Sequence, residues 1–316
     1  MAVFTKLSKD DIKTILLNYN IGNLTDYQAI EKGVENSNFF LNTDQGKFVL
    51  TIFEKKLYKP DLPFFLQLIE HLNKNNFPAP KIFRNNKDHL DFNFKAKTGI
   101  IISYLTGSLA EETEINPIIM FNLGQMLAKF HQITQNFFKK RENQYGVFQL
   151  IKLKQKLKLK KAISEQELGL IEYFFNRISQ LDLSNIRKSI IHADLFPDNV
   201  FITNNEISGL IDFYFACEDY LMLDIAIIIN SWCFDKNQNI NLNFLNNFIK
   251  GYQTITILDK NEKENLHNFC IIAALRFYLS RVADKLEYKK DDLVTAKDPS
   301  EYFKILEFYN KNKITI

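Results

Sequence analysis

Glycine and proline are scarce in this 316-residue chain, at 10 and 7, and there is one tryptophan and three cysteines. So little glycine and proline excludes collagen-like repeats and long low-complexity linkers, and leaves a globular composition. Cys217, Cys233 and Cys270 are odd in number, form no CxxC pair and sit in apolar surroundings. That pattern excludes a disulfide framework and a thiolate metal cage, and fits buried thiols in a reducing compartment. Long apolar runs are missing too: Ile225 to Ile229 is typical of the longest, and the N-terminal MAVFTKLSKDD has no apolar core of signal-peptide length. A cytoplasmic location is expected. Charge of one sign is also lacking, with 40 Lys+Arg against 37 Asp+Glu and a net charge of +3. No global field recommends nucleic acid or a membrane as partner, and a small-molecule ligand is expected. Oligomeric state is left open.

Apolar residues make up 46% and aromatics 14%, and at this length the chain can bury two cores. Ser8 to Tyr19 reads as a capped helix with Ile12, Ile15 and Leu16 on one face. Phe39 to Leu41 and Phe48 to Phe53 read as strands around the turn residues Asn42 to Gly46. Asp61 to Lys74 carries Leu62, Phe65, Leu66, Ile69 and Leu72 at helical spacing, and strands are expected near His89 to Phe94 and Gly99 to Leu105. From Pro117 onward helical periodicity dominates, including Met120 to Gln132, Glu165 to Leu181, Leu221 to Trp232 and Glu264 to Leu286. The expected fold is α+β in two lobes: residues 1–106 with a small antiparallel sheet, and residues 107–316 mostly helical. The lysines from Lys152 to Lys161 sit over Leu150, Leu153 and Leu157 at helical spacing, so they read as a solvated face and not a nucleic-acid patch.

Within the helical part, Asn199 to Thr203 and Gly209 to Phe213 read as a strand pair turned by Asn204 and Asn205. Around it stand His192-Ala-Asp194-Leu-Phe-Pro-Asp-Asn199 and Ile211-Asp212-Phe213. Phosphoryl transfer needs an oriented acceptor hydroxyl and a cation neutralising charge on the phosphates, and hard oxygen ligands suit that cation. Asp194 is the candidate base, Asn199 and Asp212 the candidate Mg2+ ligands shared with ATP, and His192 an organiser of the loop. His131 reads as a packed helix histidine, with no second ligand at helical spacing.

On these residues the chain resembles the aminoglycoside-phosphotransferase-like branch of the protein-kinase-like fold, and within it the bacterial homoserine kinases. Further blocks carry the likeness: Gly33 to Asn38, Phe48 to Glu54, Pro63 to Phe65, Gly209 to Ala216, Asn230 to Cys233, Ala274 to Phe277 and Leu293 to Pro299. They span nearly the whole chain. The resemblance implies ATP as donor, L-homoserine as acceptor, and a hinge near Ser103 to Gly107. Lys32 to Asn38 would be the loop over the phosphates, with Gly33 allowing close backbone approach and Ser37 or Asn38 donating hydrogen bonds. Kinases of this fold usually place a lysine on the third strand; here Thr51 takes that place. Either Lys55 or Lys56 replaces it, with Glu70 as candidate partner, or the phosphates are held without it. A zwitterionic acceptor calls for a cation and an anion. Arg276 or Arg281 and Asp219 or Asp224 are the candidates, with Arg276 and Asp219 carried forward.

Overall fold

The computed structural model describes residues 4–30, 36–54, 60–111, 113–287 and 297–316. The chain forms two compact units, one of Met1–Thr106 with Gly209–Ile211, the other of Gly107–Ser208 with Asp212–Ile316.

The first unit opens with helix α1 (Lys9–Leu16). Ser8 caps it: its Oγ accepts the Asp11 N–H at 3.1 Å, while the Asp11 carboxylate accepts the Ser8 N–H at 2.9 Å. Two otherwise orphaned backbone donors are thereby satisfied. There follow strands β1 (Leu24–Ile30), β2 (Asn36–Thr43) and β3 (Gly46–Phe53), helix α2 (Leu62–Lys74), and strands β4 (Phe92–Phe94) and β5 (Lys97–Ser103). They pair antiparallel in the order β1-β2-β3-β5-β4. Side chains alternate along a strand, so Phe39 and Leu41 of β2 and Phe48, Leu50 and Ile52 of β3 bury one face against Ile12, Ile15 and Leu16 of α1. Asn38 and Thr51 lie opposite each other in register and take the other face. The strand around Phe39 is longer than expected. The half-exposed, mixed sequence of β1 concealed that strand altogether.

The second unit begins with the short strand β6 (Ser108–Leu109) and continues through helices α3 (Pro117–Thr134), α4 (Val147–Leu159) and α5 (Glu165–Ile178). Next come strands β7 (Lys188–Ile191), β8 (Val200–Thr203), β9 (Glu206–Leu210), whose last two residues are counted with the first unit, and β10 (Cys217–Tyr220), then helices α6 (Leu221–Trp232), α7 (Leu242–Gln253), α8 (Lys260–Glu287) and α9 (Ser300–Lys311). Helix α6 is apolar all round because it is buried almost throughout. Helices α3 and α7 touch through glycines: a Cβ on Gly124 would stand 2.1 Å from the Phe248 carbonyl oxygen, and one on Gly251 2.0 Å from that of Phe121. That approach brings His131 of α3 to Tyr252 of α7.

Strands β8 and β9 are joined by Asn204 and Asn205, both left-handed at φ 51° and 64°, which is the geometry of a two-residue hairpin turn. Helix α3 holds the tip through Asn116 Nδ2 to Asn205 Oδ1 (2.9 Å) and Asn122 Nδ2 to the Asn205 carbonyl (3.0 Å). The strands are tighter than expected, so Asn199 and Asp212 stand just outside the pair and not on it. On α4, Leu150 and Leu157 are buried. Of its lysines, Lys152 covers the Phe148 ring and Lys158 pairs with Glu172 at 3.1 Å. Among the described residues no helix is long and apolar enough to cross a membrane.

Candidate active site

The loop after β7 holds the expected base, and its shape is set from below by one buried carboxylate. Ala193 sits at φ 65°, a region that costs a non-glycine residue roughly 1–3 kcal/mol unless the surroundings hold it there. Asp224, in the first turn of α6, accepts the His192 N–H on Oδ2 and the Ala193 N–H on Oδ1, each at 2.7 Å. His131 Nε2 is hydrogen-bonded to Asp224 Oδ2 at 3.1 Å, and His131 Nδ1 to the Tyr252 hydroxyl at 3.0 Å. Asp224 and His131 are fully buried. Burial alone opposes ionisation of Asp224, but the His131 hydrogen bond, the charges of His131 and His192 and the backbone donor together hold its carboxyl below the ordinary range. Trp232 Nε1 donates to the Leu195 carbonyl at 3.0 Å, tying the next residue of the loop to α6. His131 is therefore more than helix packing. The visible signal was Asp224, a charge in an apolar run that needs partners.

Past Asp194 the chain makes one turn of 3-10 helix, Pro197–Asn199. Asn199 Nδ2 donates to the Asp194 carbonyl at 2.8 Å and lies 3.3 Å from Asp194 Oδ2. This engages the amide nitrogen, so Oδ1 is the atom of Asn199 that could face a cation. Asp212 follows β9 in the left-handed region, φ 64° and ψ 57°, and starts a second such turn, Phe213–Phe215. Phe213 packs on the His192 ring at 4.9 Å between centroids and on Phe130 at 6.0 Å. The His192 ring thus joins the two halves of the motif through packing. Among the described residues no cluster of three or more His, Cys, Asp or Glu is built to cage a metal. Two oxygen ligands flanking a hairpin suit a hard cation that completes its shell from phosphates and water.

Beside the loop lies a pair of opposite charges. Asp219 of β10 accepts Asn143 Nδ2 at 2.6 Å and the Tyr220 N–H at 2.7 Å. Its burial pushes the carboxyl up despite these donors and the nearby charges of Lys188 and Arg276. Arg276 of α8 is 2% exposed. It donates to the Ala193 carbonyl and lies over the rings of Phe277 (4.6 Å), Tyr145 (5.3 Å) and Phe215 (5.8 Å). Arg281 is spent elsewhere, on Glu301 at 2.5 Å and the Asp298 carbonyl at 3.0 Å. Asn143, Tyr145 and Phe215 were not singled out from the sequence; nothing in their spacing connects them to Arg276.

The expected nucleotide contacts of the first unit fare differently. Gly33 and Lys55 lie outside the described residues. Ser37 faces the core side, fully buried, where its hydroxyl donates to Glu54 at 2.5 Å and accepts the Thr5 N–H at 2.9 Å, while Glu54 pairs with Lys97. These bonds occupy Ser37, which corrects its expected role toward phosphate. Asn38, one residue on, accepts the Thr51 hydroxyl at 2.7 Å on the opposite face. Glu70 binds Arg84 at 2.6 Å; its expected lysine partner, Lys55 or Lys56, lies outside the described residues.

A sheet unit, a helical unit and two carboxylates and an amide around one hairpin fit a kinase-like phosphotransferase. The chain belongs to the phosphotransferase enzyme family, whose pattern matches residues 26–258. It is 36% identical over 317 residues to the homoserine kinase of Bartonella tribocorum, covering 100% of this chain and 99% of that one. It is 37% identical to that of Beijerinckia indica, covering 98% and 96%. Among solved structures it is similar to an amicoumacin kinase in complex with AMP-PNP and Ca2+, with a TM-score of 0.72 at 16% identity, covering 98% of this chain and 95% of that one. A Plasmodium vivax ethanolamine kinase gives 0.68 at 14% identity, covering 99% and 92%. These structural likenesses concern the fold alone. Family membership makes the protein an ATP-dependent kinase acting on a hydroxyl group, with a divalent cation typical of the class.

Proposed function

We propose that the protein transfers the γ-phosphoryl group of ATP to the hydroxyl of L-homoserine, giving O-phospho-L-homoserine for threonine biosynthesis in the cytoplasm. The observation that carries this reading is the similarity to homoserine kinases over essentially the full length of both chains. The Asp219 and Arg276 pair supports it, since a zwitterionic amino acid offers an ammonium for the carboxylate and a carboxylate for the guanidinium. In this reading Asp194 orients the acceptor hydroxyl and takes its proton late in transfer. Asn199 Oδ1 and Asp212 hold Mg2+, which, when bound, neutralises charge developing on the phosphates. His192 and Asp224 keep Asp194 aimed. Residues 1–106 are assigned to the nucleotide, with Asn38 and Thr51 on the polar face of the sheet, and residues 107–316 to catalysis and the acceptor.

The test is ADP release with Mg-ATP and a panel of L-homoserine, choline, methylthioribose and kanamycin. L-Homoserine is expected to be turned over far faster than the others; turnover of another acceptor with none of homoserine would overturn the assignment. In the same assay Asp194→Ala is expected to lower kcat by about 10²–10⁴-fold, with ATP binding retained. Near-normal turnover by that variant would refute the base.

A further inference from the structure

Arg276 is a buried cation whose hydrogen bond goes not to a carboxylate but to a backbone carbonyl. Among the described residues it forms no salt bridge; its one hydrogen bond is to Ala193, and three aromatic rings surround the guanidinium. Aromatic faces offset part of the cost of burying such a charge, but a guanidinium carries five N–H donors and this contact uses few of them. The carbonyl it holds belongs to the peptide that joins Ala193 to Asp194. The amide groups of His192 and Ala193 are held from the other side by Asp224. The left-handed Ala193 is thus gripped at its N–H by an anion and at its C=O by a cation, one residue before the base.

We propose that Arg276 is a positioning residue that couples acceptor binding to the alignment of Asp194. This rests on the reading of L-homoserine as acceptor. One side of the guanidinium holds the Ala193 carbonyl and the other takes the acceptor's α-carboxylate. With the carboxylate in place the guanidinium is fixed at both ends, the Ala193–Asp194 peptide cannot rotate, and the Asp194 carboxylate stays on the hydroxyl. With an acceptor that lacks a carboxylate, Arg276 is held by rings and one carbonyl, and Asp194 loses part of its orientation. Binding energy from the non-reacting end of the acceptor is then expressed in kcat as well as in KM.

The experiment compares L-homoserine with 3-aminopropan-1-ol, which keeps the amine and hydroxyl and lacks the carboxylate, and adds ATP hydrolysis without acceptor. Each is measured as kcat and KM for the wild type and Arg276→Lys. For the wild type, saturating 3-aminopropan-1-ol is expected to give a kcat at least about tenfold below that of homoserine, in keeping with the sensitivity of catalysis to small misplacements. Arg276→Lys is expected to lower kcat for homoserine, for 3-aminopropan-1-ol and for basal hydrolysis alike, because Asp194 serves all three. Equal wild-type kcat values for the two acceptors would overturn the coupling without reference to any variant. So would an Arg276→Lys enzyme with a raised KM for homoserine but unchanged kcat for 3-aminopropan-1-ol and unchanged basal hydrolysis, since Arg276 would then only read the carboxylate. If the wild type does not turn over homoserine, the functional reading fails, while basal hydrolysis by the variant still decides whether Arg276 positions Asp194.

Discussion

A single carboxylate, Asp224, fixes the loop that carries Asp194. It accepts two consecutive amides and a buried imidazole, so it is satisfied only as an anion. Asp224→Asn keeps the shape but removes the charge and replaces one acceptor oxygen with a donor facing an N–H. Breaking a buried charged network of this kind costs about 3–5 kcal/mol, and a loop displaced by about 1 Å costs about 10²-fold in rate. We expect a lowered thermal midpoint and a kcat down by about that factor, with KM for ATP little changed. Wild-type kcat in a folded Asp224→Asn protein would contradict this role. At this scale the sequence offers candidates where chemistry demands a fixed local spacing, as for Asp194, Asn199 and Asp212, and the structure sets Asn199 against Asp194. It was not legible where partners come from afar: His131 and His192 are 93 and 32 residues from Asp224. Nor does sequence settle which face of a strand a polar residue takes, and adjacent residues take opposite faces. Ser37 therefore went to the core while Asn38 paired with Thr51.

The long buried helices were readable as elements because their apolar residues are continuous, and α6 and the core of α8 follow their expected spans. Strands β7 and β10 escaped because each is four residues long and exposes part of its length. Helix α8 also carries a pH-sensitive group remote from the site. His267 is buried, with Nδ1 accepting the Ile314 N–H at 3.4 Å and its ring against Tyr309 at 5.5 Å. Burial, with the charges of Arg177 and Lys313, brings it from 6.5 to about 4. Below about pH 6.5 the unfolded chain binds a proton here that the folded chain refuses until about pH 4, so stability is full above that range and falls as pH drops through it. Between pH 7.5 and 5 the loss attributable to His267 is expected to be about 2 kcal/mol. Urea unfolding of wild type and His267→Gln at both pH values checks it. A pH dependence equally steep in the variant would show that His267 is not its source.

For the molecule as a whole, the class of reaction is signalled by one segment, His192 to Asp212, whereas the proposed acceptor site draws on residues spread across the second unit. Asn143 on the chain before α4, Asp219 on β10 and Arg276 on α8 meet only because β10 pairs with β7 and α8 packs beside α6. The antiparallel sheet followed by helices was legible from hydrophobic periodicity. The grip on ATP was the least legible part: Thr51 stands where a lysine is usual and is bonded to Asn38, while the expected Glu70 serves Arg84.

Phosphoryl transfer to the side-chain hydroxyl of homoserine is checked by identifying the product. Purified protein is incubated with Mg-ATP and L-homoserine labelled with 13C at Cγ, and the mixture is followed by 31P and 13C NMR. A phosphate monoester resonance coupled to the labelled Cγ is expected, appearing in step with ADP and about 10²–10⁴-fold more slowly with Asp194→Ala. Consumption of ATP with ADP and inorganic phosphate as the only new phosphorus species, or no reaction with homoserine, would contradict it.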